Sequence, residues 1–290
     1  MEKDSNAAKS RILLGTSGWS YKEWENIFYP DSKTPKLTYY SGVFPTAEID
    51  STFYAYPNKS LVHGWVRNTP AGFEFAAKIP KLITHDKKLD LEKGVEVDLV
   101  KFLDVLSPLK DSKKLGPLLI QLPPSFSKNH VDNLKNFFEI LPTDLRFAVE
   151  FRNESWLTDR ESTYSLLEKF NIATTIIDEP LLPVDLKTTS DFAFVRWHGK
   201  GKRLWYNYHY SEEELDPWVP KVEEVAKKVK KVYGYFNNHF NGAAAENALT
   251  FLAKMNMASE KQKKILSGML DRRESYTREK TEQRAQMKLV

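Results

Sequence analysis

Cysteine is absent from this chain of 290 residues. That removes disulfides, thiolate zinc sites and a cysteine nucleophile together. Long apolar runs are absent too, and nothing approaches the ~18–20 residues a membrane-spanning helix needs. The first residues, MEKDSNAAKSR, lack the apolar stretch of a secretory signal. A cytoplasmic protein with no membrane partner is therefore expected. Net charge is missing from most of the chain. Residues 259–290 hold nine Lys or Arg against five Asp or Glu, which accounts for the whole balance of +4. Residues 1–258 balance at 34 against 34. The basic character therefore gives no general argument that the main body binds nucleic acid, although a local basic cleft is compatible with it.

What is present is a repeated pattern. Short β-rich apolar runs fall at 11–15, 46–51, 72–79, 117–122, 145–151, 172–177, 192–197 and 232–236. Helical stretches lie between most of them. Asn58 or Ser60, Asn129 and Asp159 stand where helix caps belong, and Ser211 with Glu214 forms a capping-box pattern. Such spacing fits parallel strands joined by crossover helices. The closed solution for eight of them is the TIM (β/α)8 barrel. An open doubly wound sheet is the competitor, but Gly15-Thr16-Ser17-Gly18-Trp19 has the wrong glycine spacing for its phosphate loop. One crossover is irregular. Residues 178–191, DEPLLPVDLKTTSD, carry two prolines and no helical period, so the sixth helix is expected to be lost or degenerate.

Chemistry in such a barrel collects where strands end. Each run here finishes on a polar group. In chain order these include Ser17, Glu48, Asp50, Lys78, Gln121, Glu150, Arg152, Asp178, Arg196, His198, Asn237, Asn238 and His239. Buried charges cost several kcal/mol, roughly, unless paired, so a polar ring points to a pocket. The bland reading is that the charges pair among themselves and merely close the barrel top. Glu150 is the leading acid/base candidate, following apolar Ala148 and Val149. Glu150 and Arg152 share one face of a strand, so they pair only if the chain bends there. Arg196 and His198 also share a face. Gly199-Lys200-Gly201-Lys202-Arg203 follows them, and Gly242-Ala243 opens a helix nearby. Together these suggest a phosphate cradle with Asn237, Asn238 and Asn241 as neutral donors and His239 as a proton donor. Asn at a strand end can equally cap the next helix.

Other chemistries read more weakly. Asp50, Glu150, Asp178, His198 and His239 are suitable metal ligands, but none forms a compact ligand motif, and Lys78, Arg152 and Arg196 would compete with a cation. No cofactor is expected, and a divalent metal is allowed but not favoured. Lys78 suits a counterion better than a Schiff base. Trp19, Tyr54, Trp205, Tyr206 and other aromatics fall in or near the βα loops, where they can stack on sugars or bases.

Seven segments also carry a family resemblance. GTSGWSY (15–21), EIDSTFYAYP (48–57), FEFAAKIP (73–80), QLPPSF (121–126), AVEFRNESW (148–156), VRWHG (195–199) and YFNNHFNGAAAENA (235–248) resemble the DUF72 or YecE-like family, in order, over roughly 11–255. The resemblance implies a TIM-barrel fold. Its strand-end motifs map onto Asp50, Lys78, Gln121, Glu150, Arg152, Arg196, His198, Asn237 and Asn238. One barrel domain over 1–258 is expected, with a charged tail over 259–290.

The combined expectation is a hydrolase or related acid/base enzyme acting on an anionic, phosphate-bearing small molecule, a nucleotide or nucleic acid. Glu150, Asp50, Lys78 and His198 would be catalytic. Arg152, Arg196, Gln121, Asn237, Asn238, His239, Trp19 and Tyr54 would bind substrate. The alternatives are a glycoside-active barrel using Asp50 and Glu150, or a ligand-binding module without turnover. Nothing in the sequence fixes an oligomeric state. For the tail, Ile265, Leu266, Met269 and Leu270 suggest a short helix with a solvated end. A basic arm that touches nucleic acid or a partner is the other reading.

Overall fold

The structure is a computed structural model that describes residues 12–181, 183–201 and 204–287. Arg11, Lys202, Arg203 and the opening stretch read for a signal lie outside the described residues. Eight parallel strands pair in chain order among the described residues and close into a barrel. They are β1 (Ile12–Ser17), β2 (Thr46–Ile49), β3 (Glu74–Lys78), β4 (Leu115–Gln121), β5 (Phe147–Glu150), β6 (Ala173–Asp178), β7 (Phe192–Trp197) and β8 (Lys231–Phe236). Each lies within two residues of its expected ends. Closure is sealed by β1 against β8, in register from Ile12 opposite Val232 to Thr16 opposite Phe236.

Helices pack outside. In chain order they are α1 (Lys36–Ser41), α2 (Lys59–Arg67), α3 (Val95–Asp111), α4 (Val131–Glu139), α5 (Ser155–Thr158), α6 (Arg160–Lys169), α7 (Glu212–Leu215), α8 (Trp218–Lys228), α9 (Ala243–Lys254) and α10 (Glu260–Met287). Three expected caps form. Asn58 accepts from the Leu61 amide, Asp159 from the Ser162 amide, and Ser211 with Glu214 makes the reciprocal box. Asn129 does not cap; it sits inside a 3-10 turn, Lys128–His130, that runs into α4. No helix joins β6 to β7 among the described residues. The tail departs from expectation. Its helix is 28 residues long, and Met269 on it is fully buried.

Period two along the strands fills the barrel in layers. The lowest layer centres on Glu74, which takes Lys231 Nζ at 2.5 Å and the Tyr233 hydroxyl at 2.6 Å. Above it lies an apolar plug that includes Ala76, Leu119, Ala148, Ala173, Phe194 and Tyr235. Small residues from β3, β5 and β6 leave room for the rings from β7 and β8. The layer above the plug is almost wholly charged. The chain contains no described helix long and apolar enough to cross a membrane.

Gly15 shows how tight the closure is. A Cβ there would sit 2.1 Å from the Thr46 carbonyl oxygen of β2 and 2.9 Å from the Tyr40 hydroxyl. Backbone cannot yield as a side chain can, so Gly15→Ala should cost about 2 kcal/mol or more of stability. Thermal or urea unfolding measures it, and an unchanged midpoint would contradict this packing.

Candidate functional site

Arg196, on β7, stands at the centre of the charged layer with no exposed surface. Its two terminal nitrogens reach across the barrel to opposite carboxylates. NH2 meets Glu48 Oε1 of β2 at 2.7 Å, and NH1 meets Glu150 Oε2 of β5 at 2.6 Å. Glu150 is then completed by Gln121 Nε2 at 2.7 Å and Arg152 Nε at 3.0 Å, both on Oε1. The Glu150–Arg152 pair forms at the end of β5, with Arg152 past the strand's last residue. Lys78 Nζ lies 2.5 Å from Asp50 Oδ1 and 3.8 Å from Glu48 Oε1. Ser17 Oγ reaches both Glu48 and Asp50, with its one proton to share between them. Three carboxylates thus face three cations, and the layer is close to neutral.

Burial sets the titration of these groups. It opposes ionisation of Glu150, yet Arg196, His198 and Arg152 together hold its carboxyl well below the ordinary range. Asp50 is likewise lowered, against burial, by Lys78 and Arg196. His198 goes down to about 4, through burial and the Arg196 charge, so it is neutral at pH 7. Asn237 Nδ2 contacts its Nδ1 at 2.9 Å, and Glu150 Oε2 lies 3.5 Å from its Nε2.

Glu179 behaves oppositely. It follows directly on β6 and is 8% exposed. No hydrogen bond or ion pair reaches its carboxyl among the described residues. Burial and the Glu150 carboxylate push it up to about 7 against the pull of Arg152 and Arg196.

A cavity of about 640 Å³ opens beside this layer, on the β1, β2, β3 and β8 side of the mouth. Its floor includes Asp50 and Lys78. Its walls carry Trp19, Tyr21, Tyr54, Tyr206, His239 and Phe240, with Asn237 at the edge. The His239 ring is a slab in one wall, stacked on Tyr21 at 4.5 Å and on Tyr206 at 5.4 Å.

The expected residues therefore separate into groups. Asp50, Lys78, Asn237, His239, Trp19 and Tyr54 border the cavity. Glu150, Arg152, Arg196, Gln121 and His198 form the charged layer and do not border it. Asn238 belongs to neither. Its amide is fully buried and donates to the Tyr208 carbonyl and to Asn247 Oδ1, at 2.9 and 2.8 Å. It fastens the loop after β7 and is not among the residues that line the cavity. At the expected phosphate cradle, Asn241 and Gly242 both take left-handed backbone, Gly242 packs against Ile27 and Met269, and neither is among the residues that line the cavity. Lys200 is drawn toward Asp178 and Glu214, at 3.7 and 3.9 Å.

Sequence reasoning undervalued Glu48, Ser17, Tyr21 and Glu179. Glu48 lies on β2, two residues before Asp50, which follows directly on the strand's end, and that spacing was the available signal. Glu179 had none, since it lies past the last residue of its strand. Among the described residues no group of three or more His, Asp or Glu is placed to hold a metal ion. The cations between the carboxylates account for that geometry.

Residues 13–270 match the family described as "Protein of unknown function DUF72". The chain belongs to the DUF72 family. The match runs past residue 258 into α10, as far as Leu270. UPF0759 protein YunF of Bacillus subtilis is 30% identical over 266 residues, covering 83% of this chain and 93% of that protein. UPF0759 protein YecE of Escherichia coli is 27% identical over 155 residues, 53% of either chain. Among solved structures, a DUF72 family protein from Thermotoga maritima superposes with a TM-score of 0.76 at 35% identity, covering 84% of this chain and 99% of that one. A second, from Enterococcus faecalis, gives 0.76 at 27% identity, covering 86% and 97%. These DUF72 structures agree with the barrel.

Arg196→Met should strand two buried carboxylates and cost about 3–5 kcal/mol. Arg196→Lys should rescue little, because one ammonium cannot span both partners. Denaturant unfolding at pH 7 checks both, and a near-neutral Arg196→Met would refute the bridging role. Glu179 gives a pH test. Its protonated form is the one the fold favours, so its contribution is intact below the ordinary carboxyl range and is lost as pH rises through about 7. Glu179→Gln should therefore raise the melting temperature at pH 8, by roughly 2 °C, and leave it little changed at pH 4. Equal shifts at both pH values would contradict the assignment.

Proposed function

We propose that the DUF72 mouth of this chain is an active site for an anionic, phosphate-bearing substrate with a flat ring: a nucleotide or a nucleic acid end. The reaction class is hydrolysis or related acid/base chemistry. The observation that carries the reading is the Lys78–Asp50 pair on the floor of a cavity walled by aromatic rings. Rings offer stacking surfaces to a base or sugar. Lys78 offers a point charge to a phosphate oxygen. Asn237 supplies a neutral contact at the edge.

Asp50 is the base in this proposal. At rest its carboxylate is held down chiefly by Lys78, against burial. When Lys78 turns toward a phosphate, Asp50 loses part of that stabilisation. Its proton affinity then rises as substrate arrives, which suits a group that must take a proton from water or a hydroxyl. Ser17 keeps it aimed through a 2.6 Å hydrogen bond. Glu150 moves from the base role to that of a fixed counterion, because both its oxygens are engaged and it is not among the residues that line the cavity described above. The same fact weakens the glycosidase alternative, which needs two carboxyls flanking a sugar about 5–9.5 Å apart.

Calorimetric titration with nucleoside phosphates, short oligonucleotides and neutral saccharides tests the reading. Inorganic phosphate should compete. Lys78→Met should weaken binding at least tenfold, a loss of about 1.4 kcal/mol. Asp50→Asn should keep binding and lower turnover by a factor of about 10²–10⁴. Saccharide binding that phosphate does not disturb would overturn the substrate class. Binding without turnover across the whole panel would make the chain a binding module.

A further inference from the structure

The C-terminal helix α10 was unexplained by the sequence, and its contacts are specific. Met269 is fully buried, and Ile265 and Leu266 pack against the core. Near its start, Lys261 Nζ and Gln262 Nε2 donate to the Gly42 and Val43 carbonyls, at 2.8 and 2.7 Å. Further on, Arg272 and Arg273 reach two different loops of the mouth. Arg272 donates twice to the Ile27 carbonyl, from Nε at 3.0 Å and NH2 at 2.6 Å. Ile27 lies in the loop after β1. Arg273 NH2 lies 3.3 Å from the Asn241 carbonyl, in the loop after β8, and 2.7 Å from Glu246 Oε2 on α9. Glu246 is 2% exposed, so Arg273 also compensates a buried carboxylate.

Those two loops carry Trp19, Tyr21, His239 and Phe240 of the aromatic wall. They are joined by Trp24 Nε1, which donates to the His239 carbonyl at 2.7 Å, and by the Tyr21–His239 stack. Trp24 is bound to the Ile27 turn, because the Ile27 and Phe28 amides both donate to its carbonyl. Gly242 closes the joint. A Cβ on it would lie 2.9 Å from Ile27 Cγ2, with Met269 next at 3.9 Å. A continuous path of direct contacts therefore runs from Arg272 and Arg273, through Ile27 and Asn241, to Trp24 and His239, and so to the cavity.

We infer that Arg272 and Arg273 are positioning residues, and that the C-terminal helix is a brace setting the spacing of the Tyr21 and His239 loops at the mouth. A helix that only covered apolar surface would need Met269 and its neighbours, and would have no use for guanidinium groups bonded to carbonyls of two separate loops. The functional weight of the brace rests on the aromatic wall being the binding surface proposed above. The coupling itself is read without any ligand, so the two ideas fail separately.

The test is hydrogen exchange on the full chain carrying Arg272→Gln and Arg273→Gln together. Amides in 20–28 and 237–242 should exchange at least tenfold faster, while β3 to β6 keep their protection. The His239 ring protons, shifted by the flanking tyrosines, should move toward ordinary positions in the NMR spectrum. A control pair, Lys261→Ala with Gln262→Ala, unhooks the other end of the helix and should leave both readouts alone. Arg273→Lys should restore most of the wall, because an ammonium can still meet Glu246. If the double variant loses the barrel, each single Gln variant carries the same measurements. Unchanged loops, acceleration spread evenly over the barrel, or an equal effect from the control pair would each overturn the brace.

Discussion

One guanidinium holds the upper barrel together. Arg196 is buried without surface and spans from Glu48 on β2 to Glu150 on β5. Neither carboxylate would be tolerable there alone, and neither would the arginine. Because each charge is acceptable only with the others in place, the side chains have little freedom. Glu48 orients Ser17, Ser17 orients Asp50, and Asp50 receives Lys78. Gln121 and Arg152 complete Glu150 in the same way. Hydrogen bonds with a charged partner are the strong kind, and side chains that share several of them are held stiffly.

That stiffness gives the cavity its character. The charged layer is nearly neutral by itself, and most of it lies away from open space. Two of its members, Asp50 and Lys78, border the cavity, and the other walls are rings. A mouth of this kind presents one adjustable ion pair on a fixed support, facing surfaces that stack. Glu179 adds a carboxyl whose environment raises it, while those of Asp50 and Glu150 are lowered.

The strands were legible because their signal is local. An apolar run such as FAFVRW at 192–197 states its own length and periodicity. The missing sixth helix was legible from two prolines, and Ser211 with Glu214 from cap chemistry. The helix α10 was misjudged for the opposite reason. Its mean character is polar, and only a few apolar side chains dock it, so its length and anchoring depend on Ile27, Val43 and Asn241, which are remote in sequence. The three asparagines of the 237–241 stretch make the same point. They are alike on paper, yet Asn237 edges the cavity, Asn238 ties down the loop after β7, and Asn241 makes a left-handed turn.

The sequence by itself determined the order of the eight strands, the polar residues at their ends and the lack of cysteine chemistry. Each of these follows from residues near one another along the chain. Only the tertiary structure decided which strand-end charges neutralise each other and which border open space. Partner choice among Glu48, Asp50, Glu150, Lys78, Arg152 and Arg196 depends on strand stagger around a closed barrel. A shift of one residue turns a side chain from the interior to the outside. Surroundings then fix what each carboxyl does, because burial and a neighbouring carboxylate push a Glu up while a cation within a few ångströms pulls it down.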